Sequence, residues 1–251
     1  MTFELGVLHQ PAQLAFAVFA FVLGGLVKGT LGVGLPLVVV PLLSLILPSP
    51  TAIALVSVPV VFSNVVQVWQ AAPGSRQVKR FWPLTLCLVL ATVATVPMTL
   101  ALAPKTLNAM LAVAVLLAVA AMTFNLTLTI QPGREKWASA GVGLLSGLLG
   151  GVSSLTGPVI ITYLSSLRLS REQFVGTISV IYLFAMLPLY LAMAAVGRLG
   201  VSELGLSLIA CLPMFIGMAI GKRLRYRLSE ALFRKLLLGF LVLVAIALLL
   251  K

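Results

Sequence analysis

Two stretches of the chain interrupt long apolar segments with glycine, hydroxyl residues and proline, the residue types that could bind a small polar solute. They cover residues 24–36 and 146–158. A shift of 122 residues aligns glycines and a proline of the two stretches, for example Pro36 with Pro158. Membrane proteins that interrupt helices at matching positions of two halves commonly do so to hold a solute. The pattern therefore predicts a solute site at the two breaks.

The chemistry of the breaks favours an anion. We expect a helix to restart near each proline, because proline suits the first helical turn, where its missing N–H would be unpaired anyway. The other first-turn N–H groups have no partner within the helix and lie at the positive end of its dipole. Helix ends of this kind bind anions, and glycine lets the backbone approach the solute closely.

Lys28 lies inside the first break, whereas the aligned residue of the second break is Gly150. A lysine within the membrane is costly and is a functional candidate by default, so we expect Lys28 to contact the solute. The alternative is that its side chain extends to the outer interface. Because the second break instead has a cluster of serine and threonine, we expect the site to be asymmetric.

The distribution of acidic residues argues against a cation as the solute. The chain has no aspartate, and its five glutamates lie at or near predicted helix ends: Glu4, Glu135, Glu172, Glu203 and Glu230. A cation pathway or a carboxylate proton relay would need a buried acid. His9, the only histidine, precedes the first helix and is expected at the membrane interface.

The candidate solute-binding residues form three groups, and no catalytic residue, metal ligand or cofactor is predicted. The group at the first break is Lys28, Gly29, Thr30, Gly32, Gly34 and Pro36. The group at the second break is Gly151, Ser153, Ser154, Thr156, Gly157 and Pro158. The third group contains polar residues of the apolar segments that follow the breaks, namely Asn64, Gln67 and Tyr182.

The composition indicates a helical protein that crosses the membrane several times. Hydrophobic residues make up 61% of the 251 residues and charged residues only 9%, with a mean hydropathy of +1.19. A soluble domain of this length could not bury so much apolar surface. The 17 Lys and Arg outnumber the five Glu, but short basic loops that orient a membrane protein explain this excess better than nucleic acid does. The lone Cys87 and Cys211 argue against a disulfide framework or a metal site.

Hydropathy and turn residues predict ten helical segments in two membrane repeats. Residues 1–130 form the first repeat, residues 131–136 a cytoplasmic linker, and residues 137–251 the second repeat. The predicted segments are 12–28, 35–47, 51–72, 80–102 and 105–126, followed by 137–150, 156–168, 171–196, 201–221 and 230–250.

Loop charge predicts the topology. The basic loops 73–80 and 222–235 and the linker are expected in the cytoplasm, and the uncharged turn 47–50 outside. Each repeat then opens with a broken helical hairpin, 12–47 or 137–168, and the two hairpins enter from opposite faces. Since each half has an odd number of segments, the second is expected to be inverted, with both chain termini in the periplasm. Whether the short hairpin arms are re-entrant or cross completely is left open.

The two breaks resemble those of the TauE/SafE family, the sulfite exporter-like family that is also called the toluene-sulfonate uptake permease family. The resemblance rests on apolar helices with spaced glycines that are followed by proline, at Gly24–Pro36 and Gly141–Pro158, and it covers essentially the whole chain. It implies transport of sulfite, sulfonates such as sulfoacetate, or related organic acids. Residues 152–156 depart from the glycine run common in the family and add hydroxyl donors.

Together these features predict an exporter of small sulfur-containing or organic anions in the cell inner membrane, with alternating access around a midplane site at the hairpin tips. The expected partners are the small anionic substrate and the lipid bilayer, without nucleic acid, and a homodimer is left open. An uptake permease of the same family and an amino-acid or cation permease are alternatives. A non-transporting scaffold or an enzyme-associated subunit is a further one; the chain itself is not expected to be an enzyme.

Overall fold

The structure is a computed structural model that describes residues 10–71, 77, 79–124, 133–153, 156–167, 169–225 and 230–251. This part of the chain is helical and contains no strand, which confirms the predicted all-α class. Its helices are α1 (Pro11–Leu31), α2 (Leu35–Ser44), α3 (Ser49–Gln70), α4 (Trp82–Ala101), α5 (Pro104–Thr123), α6 (Glu135–Ser153), α7 (Gly157–Ser166), α8 (Arg171–Ala195), α9 (Val201–Ile209), α10 (Cys211–Leu224) and α11 (Glu230–Leu249).

Six helical stretches of the described residues are long and apolar enough to cross a membrane. They are α1, α3, α8, most of α5 and of α11, and the stretch Val201–Leu224 that contains α9 and α10. In contrast, α2 and α7 have ten residues each. At about 1.5 Å per residue each of them covers about 15 Å, half of a ~30 Å hydrocarbon core.

The two hairpins have unequal arms, which differs from the expectation of two short ones. The sequence places the ends of the first arms at residues 28 and 150, but α1 continues to Leu31 and α6 to Ser153. Glycine in a helix costs only about 1 kcal/mol relative to alanine, which tertiary packing readily offsets. The glycines before each break therefore lie within a helix, and each hairpin joins a first arm of 21 or 19 residues to a second arm of ten.

The helix bounds repeat along the chain. A shift of 122 residues places α2 on α7 and aligns the ends of α1 and α6. A shift of 126 residues places α5 on α11. The second half therefore contains four additional residues between these elements. The predicted segment 201–221 is in fact two helices, α9 and α10, separated at Ala210.

The chain divides into two compact units that each draw on both predicted halves. Unit 1 comprises Met1–Val60, Ala103–Leu116 and Met193–Lys251, and unit 2 comprises Val61–Leu102 and Leu117–Ala192. Within unit 1, α1 packs extensively on α10 and also on α2. Within unit 2, α6 packs extensively on α4 and also on α7. The first arm of each hairpin therefore packs against a helix from the other half of the sequence.

Glycines allow the close approach of α1 and α10 in unit 1. A Cβ built at Gly25 would overlap the carbonyl oxygen of Met214, and one at Gly29 would overlap that of Met218. Gly217, on the facing helix, meets the backbone of α1 in the same way. Small residues spaced four apart are the usual means of bringing two membrane helices into backbone contact.

The α4–α6 pair of unit 2 is packed in the corresponding register. A Cβ built at Gly143 would overlap the carbonyl oxygen of Leu84, and one built at Gly147 would overlap that of Leu88, one turn later in α4. The pair Gly147 and Leu88 corresponds to Gly25 and Met214 by the two shifts that relate the helix bounds. The sequence repeat therefore extends to the contacts between helices.

A proline in α3 is accommodated by a serine from α9, both within unit 1. Pro59 has no N–H to donate, so the carbonyl four residues earlier, that of Leu55, loses its helical partner. The Ser207 hydroxyl donates to the Leu55 carbonyl oxygen over 2.7 Å. It also accepts a hydrogen bond of 3.0 Å from the Val58 N–H. One side chain thus satisfies two backbone groups at the interruption of α3.

Candidate functional site

The first break lies in unit 1 and consists of the residues between α1 and α2. Gly32 and Gly34 both adopt left-handed backbone conformations, with φ of 85° and 100°. The Gly32 N–H donates to the Lys28 carbonyl oxygen over 2.7 Å and ends α1. Pro36 is the second residue of α2, so the helix restarts at the proline as predicted. Two glycines in this conformation let the chain turn within three residues.

Lys28 is buried in the last turn of α1, with a side chain only 2% exposed. This burial contradicts the alternative in which the side chain extends to the outer interface. The last turn of a helix is the negative end of its dipole, where a cation is favoured. Lys28 therefore places a basic group inside the protein, two residues from Thr30 and close along the chain to the N-terminus of α2.

Two candidate residues of the first break contribute to packing in this structure. The Thr30 hydroxyl donates to the Leu26 carbonyl oxygen over 2.8 Å and lies 3.2 Å from the Gly221 carbonyl oxygen. Gly29 faces the backbone of α10 at Met218. Thr30 and Gly29 thus face α10 and join the first hairpin arm to it.

The second break lies in unit 2, between α6 and α7. Thr156 is buried, and Gly157 and Pro158 are the first two residues of α7. A Cβ built at Gly157 would come within 2.7 Å of the Tyr182 hydroxyl oxygen. Tyr182 is only 5% exposed, so its hydroxyl lies inside the protein at the N-terminal end of α7. The structure therefore brings together two predicted site residues that are distant in the sequence.

The remaining candidates of the second break differ in what the structure shows of them. Gly151 packs against Thr95 and the Thr92 carbonyl of α4. Ser153 is the last residue of α6, and Ser154 lies outside the described residues. The backbone at Thr156 is ordinary right-handed helix, with φ of −68°, whereas the aligned Gly34 is left-handed. The two breaks therefore differ in backbone geometry as well as in side chains.

Polar side chains on α3 and α8 form a buried set in unit 2. Asn64 and Gln67 of α3, both candidate site residues, are buried. The Gln67 side-chain oxygen accepts a 2.9 Å hydrogen bond from the hydroxyl of Ser179 on α8. Ser179 was not a candidate, because an isolated serine in a span commonly bonds to its own backbone. The signal that could identify it is its position one turn before Tyr182.

The glutamates of the described residues lie at helix ends, as expected. Glu135 begins α6, where Arg80 binds it through two hydrogen bonds. This hydrogen bonding raises the pKa of the Arg80 guanidinium above its ordinary value. Glu203 is in the first turn of α9 and accepts from the Gly200 N–H. It is only 6% exposed, so the expectation that the chain has no buried acid is wrong at this position. Glu172 is exposed in the first turn of α8. At the two breaks, the described residues present a lysine, threonines and the Tyr182 hydroxyl.

The family model for the sulfite exporter TauE/SafE matches residues 17–248. The chain belongs to the sulfite exporter TauE/SafE family. The match covers nearly all of the 251 residues and confirms the family predicted from the two breaks. Neither a curated protein nor a solved structure matches the chain significantly. TauE/SafE membership and the six apolar helices together make it a multi-pass membrane protein of a transporter family.

Proposed function

We propose that this TauE/SafE protein exports a small sulfur-containing or organic anion, such as sulfite or a sulfonate like sulfoacetate, across the cell inner membrane. The observation that carries the proposal is the burial of Lys28 beside the first break, in a chain of this family. A lysine within the membrane is a functional candidate by default, and an anion is the class of solute that a lysine side chain binds.

The second break supplies neutral donors in this proposal. The N-terminal N–H groups of α7 and the Tyr182 hydroxyl lie at one place, and an anion can accept hydrogen bonds from both. Thr156, Asn64 and Gln67 add buried polar groups in the same unit. Within unit 1, the first break has its own features that favour an anion, namely Lys28 and the N-terminus of α2.

We further infer that the two halves are inverted repeats and that access to the anion alternates between the two sides. The repeated helix bounds support this inference. The packing supports it as well, because α1 contacts α10 of the second half and α6 contacts α4 of the first half. Both termini are then periplasmic. Export is favoured over uptake because an interior-negative potential drives an anion outward by about 2.3 kcal/mol per charge per 100 mV.

The test is electrogenic flux of sulfite and sulfoacetate in proteoliposomes of known orientation. Lys28→Met keeps the side-chain length but removes the charge, and Tyr182→Phe removes one hydroxyl. Since a hydrogen bond to a charged group contributes about 1.5–3 kcal/mol, Lys28→Met should weaken apparent anion affinity by about tenfold or more. Tyr182→Phe removes a hydrogen bond to the same charged solute and should also weaken the affinity by about tenfold or more.

The matched control is Lys105→Met at the start of α5, where the lysine is exposed. Its flux should equal that of the unchanged protein. Normal anion affinity in a folded Lys28→Met variant would refute the assignment of the site. Flux of a cation or a neutral amino acid in place of the anion would refute the substrate class, and flux that occurs only inward would refute export.

A further inference from the structure

A cluster of cations and tryptophans lies where α4 and α6 begin, within unit 2. Arg80 forms an ion pair with Glu135, and three further basic residues adjoin the pair in the sequence. Glu135 is the only acid among them. Two tryptophans adjoin them. We call this surface the basic–aromatic patch; its members are Lys79, Arg80, Trp82, Arg134, Lys136 and Trp137.

The side chains of the patch are available for contact. Trp82 is 55% exposed and Trp137 is 81% exposed. Lys79, Arg134 and Lys136 are exposed as well. The four cations and Glu135 give the patch a net charge of +3, so its charge complements an anion.

The patch is held on a rigid base. Arg80 binds both carboxylate oxygens of Glu135, at 2.5 Å and 2.9 Å, and joins the start of α4 to the start of α6. The Arg80 guanidinium also lies over the ring of Phe81, 5.2 Å from its centroid. Phe81 is fully buried and packs edge-to-face on Tyr163 of α7. The Tyr163 hydroxyl in turn bonds to Ser139 of α6.

The packing of the helix pair does not require basic and aromatic residues at these positions. The α1–α10 pair of unit 1 repeats the packing of the α4–α6 pair, but its aligned positions, 12–15 and 205–208, contain neither a basic nor an aromatic residue. Loop charge predicts that the patch is cytoplasmic, and the positive-inside rule accounts for cations on that side. Tryptophan is common at either membrane interface, but here two exposed tryptophans adjoin four cations at one place, and the aligned positions of unit 1 have neither.

We propose that the basic–aromatic patch binds the headgroup of an anionic phospholipid of the cytoplasmic leaflet. Lys79, Arg134 and Lys136 would contact the phosphate and the anionic headgroup, while Trp82 and Trp137 would lie at the headgroup level along the acyl chains. The bound lipid would join the starts of α4 and α6 to the membrane surface. This inference is independent of which solute the protein transports.

The experiment uses quenching of tryptophan fluorescence by brominated lipids. The chain has three tryptophans, so a Trp69→Phe background leaves Trp82 and Trp137 as the reporters. The protein is reconstituted in phosphatidylcholine with increasing fractions of brominated phosphatidylglycerol, and separately with brominated phosphatidylcholine. We expect phosphatidylglycerol to quench at a lower mole fraction, with a relative association constant clearly above one.

Charge variants test whether the patch is responsible. Lys79→Gln and Lys136→Gln should each lower the relative association constant about fivefold, the effect expected for one lysine near an anionic membrane surface. Lys136→Arg should retain it. Lys105→Gln, which removes an exposed lysine of unit 1, is the matched control and should leave it unchanged.

Three outcomes would overturn the proposal. Equal quenching by the two brominated lipids would mean that the cations only orient the protein. An equal loss in Lys105→Gln and Lys136→Gln would mean that the preference comes from total charge rather than from the patch. Displacement of phosphatidylglycerol by inorganic phosphate would mean that the patch binds a soluble anion instead of a lipid.

Discussion

Two glycines of α6, separated by one residue, should respond to the same substitution with different changes in stability. Gly143 faces α4, and a Cβ built on it would overlap the Leu84 carbonyl oxygen. A Cβ built on Gly141 would meet nothing within 4 Å. Gly143→Ala and Gly141→Ala therefore add the same methyl group to the same helix, once against backbone and once in open space.

The difference in stability follows from two terms. Alanine improves helix propensity by about 1 kcal/mol at both sites. At Gly143 the helices must also separate, because the neighbour is backbone rather than a movable side chain, and overpacking of this kind costs about 1–3 kcal/mol. Gly143→Ala should thus be less stable than Gly141→Ala by about 1–3 kcal/mol.

The assay is thermal unfolding of the two purified variants in one detergent, with the unchanged protein alongside. About 1 kcal/mol corresponds to about 2–4 °C for a chain of this size, so Gly143→Ala should unfold about 2–12 °C below Gly141→Ala. Gly141→Ala should unfold at or above the temperature of the unchanged protein. Equal unfolding temperatures for the two variants, or a more stable Gly143→Ala, would refute the close packing of α4 and α6.

Two further substitutions test backbone features of unit 1. Ser207→Ala removes the hydroxyl that bonds to the Leu55 carbonyl and the Val58 N–H, so it should destabilise the protein by about 1–3 kcal/mol in thermal unfolding; an unchanged unfolding temperature would contradict this role. Gly34→Ala should cost about 1–2 kcal/mol because φ is 100°, and Gly34→Asn should cost less, since asparagine tolerates this conformation better. Equal stability of the unchanged protein, Gly34→Ala and Gly34→Asn would mean that the turn has another conformation.

Much of the fold was predictable because it depends on local chemistry. Apolar length predicts the spans, and the helices restart beside Pro36 and Pro158 since proline is favoured in the first turn of a helix. The ends of the first arms were not predictable in the same way. Gly29 and Gly151 look like helix breakers in sequence, yet each lies in a helix because a neighbouring helix packs against it.

The candidate site was predictable in part. Lys28 and Tyr182 were identified as polar residues within apolar segments, and both are buried. Ser179 was missed because its partner, Gln67, lies 112 positions away in the sequence. The bond from Ser207 to the Leu55 carbonyl was missed for the same reason: the carbonyl that Pro59 leaves without a helical partner is visible in sequence, but the serine that satisfies it is not.

The membrane class, the family, the helix restarts at the two prolines and the unequal chemistry of Lys28 and the hydroxyl cluster were all predictable from the sequence. These depend on composition and on neighbouring residues, which the backbone and the bilayer constrain directly. Three features depend instead on packing: Lys28 is buried, Tyr182 contacts the start of α7, and each long hairpin arm packs on a helix of the other half. Such contacts join residues far apart in the chain, and close packing between helices selects them.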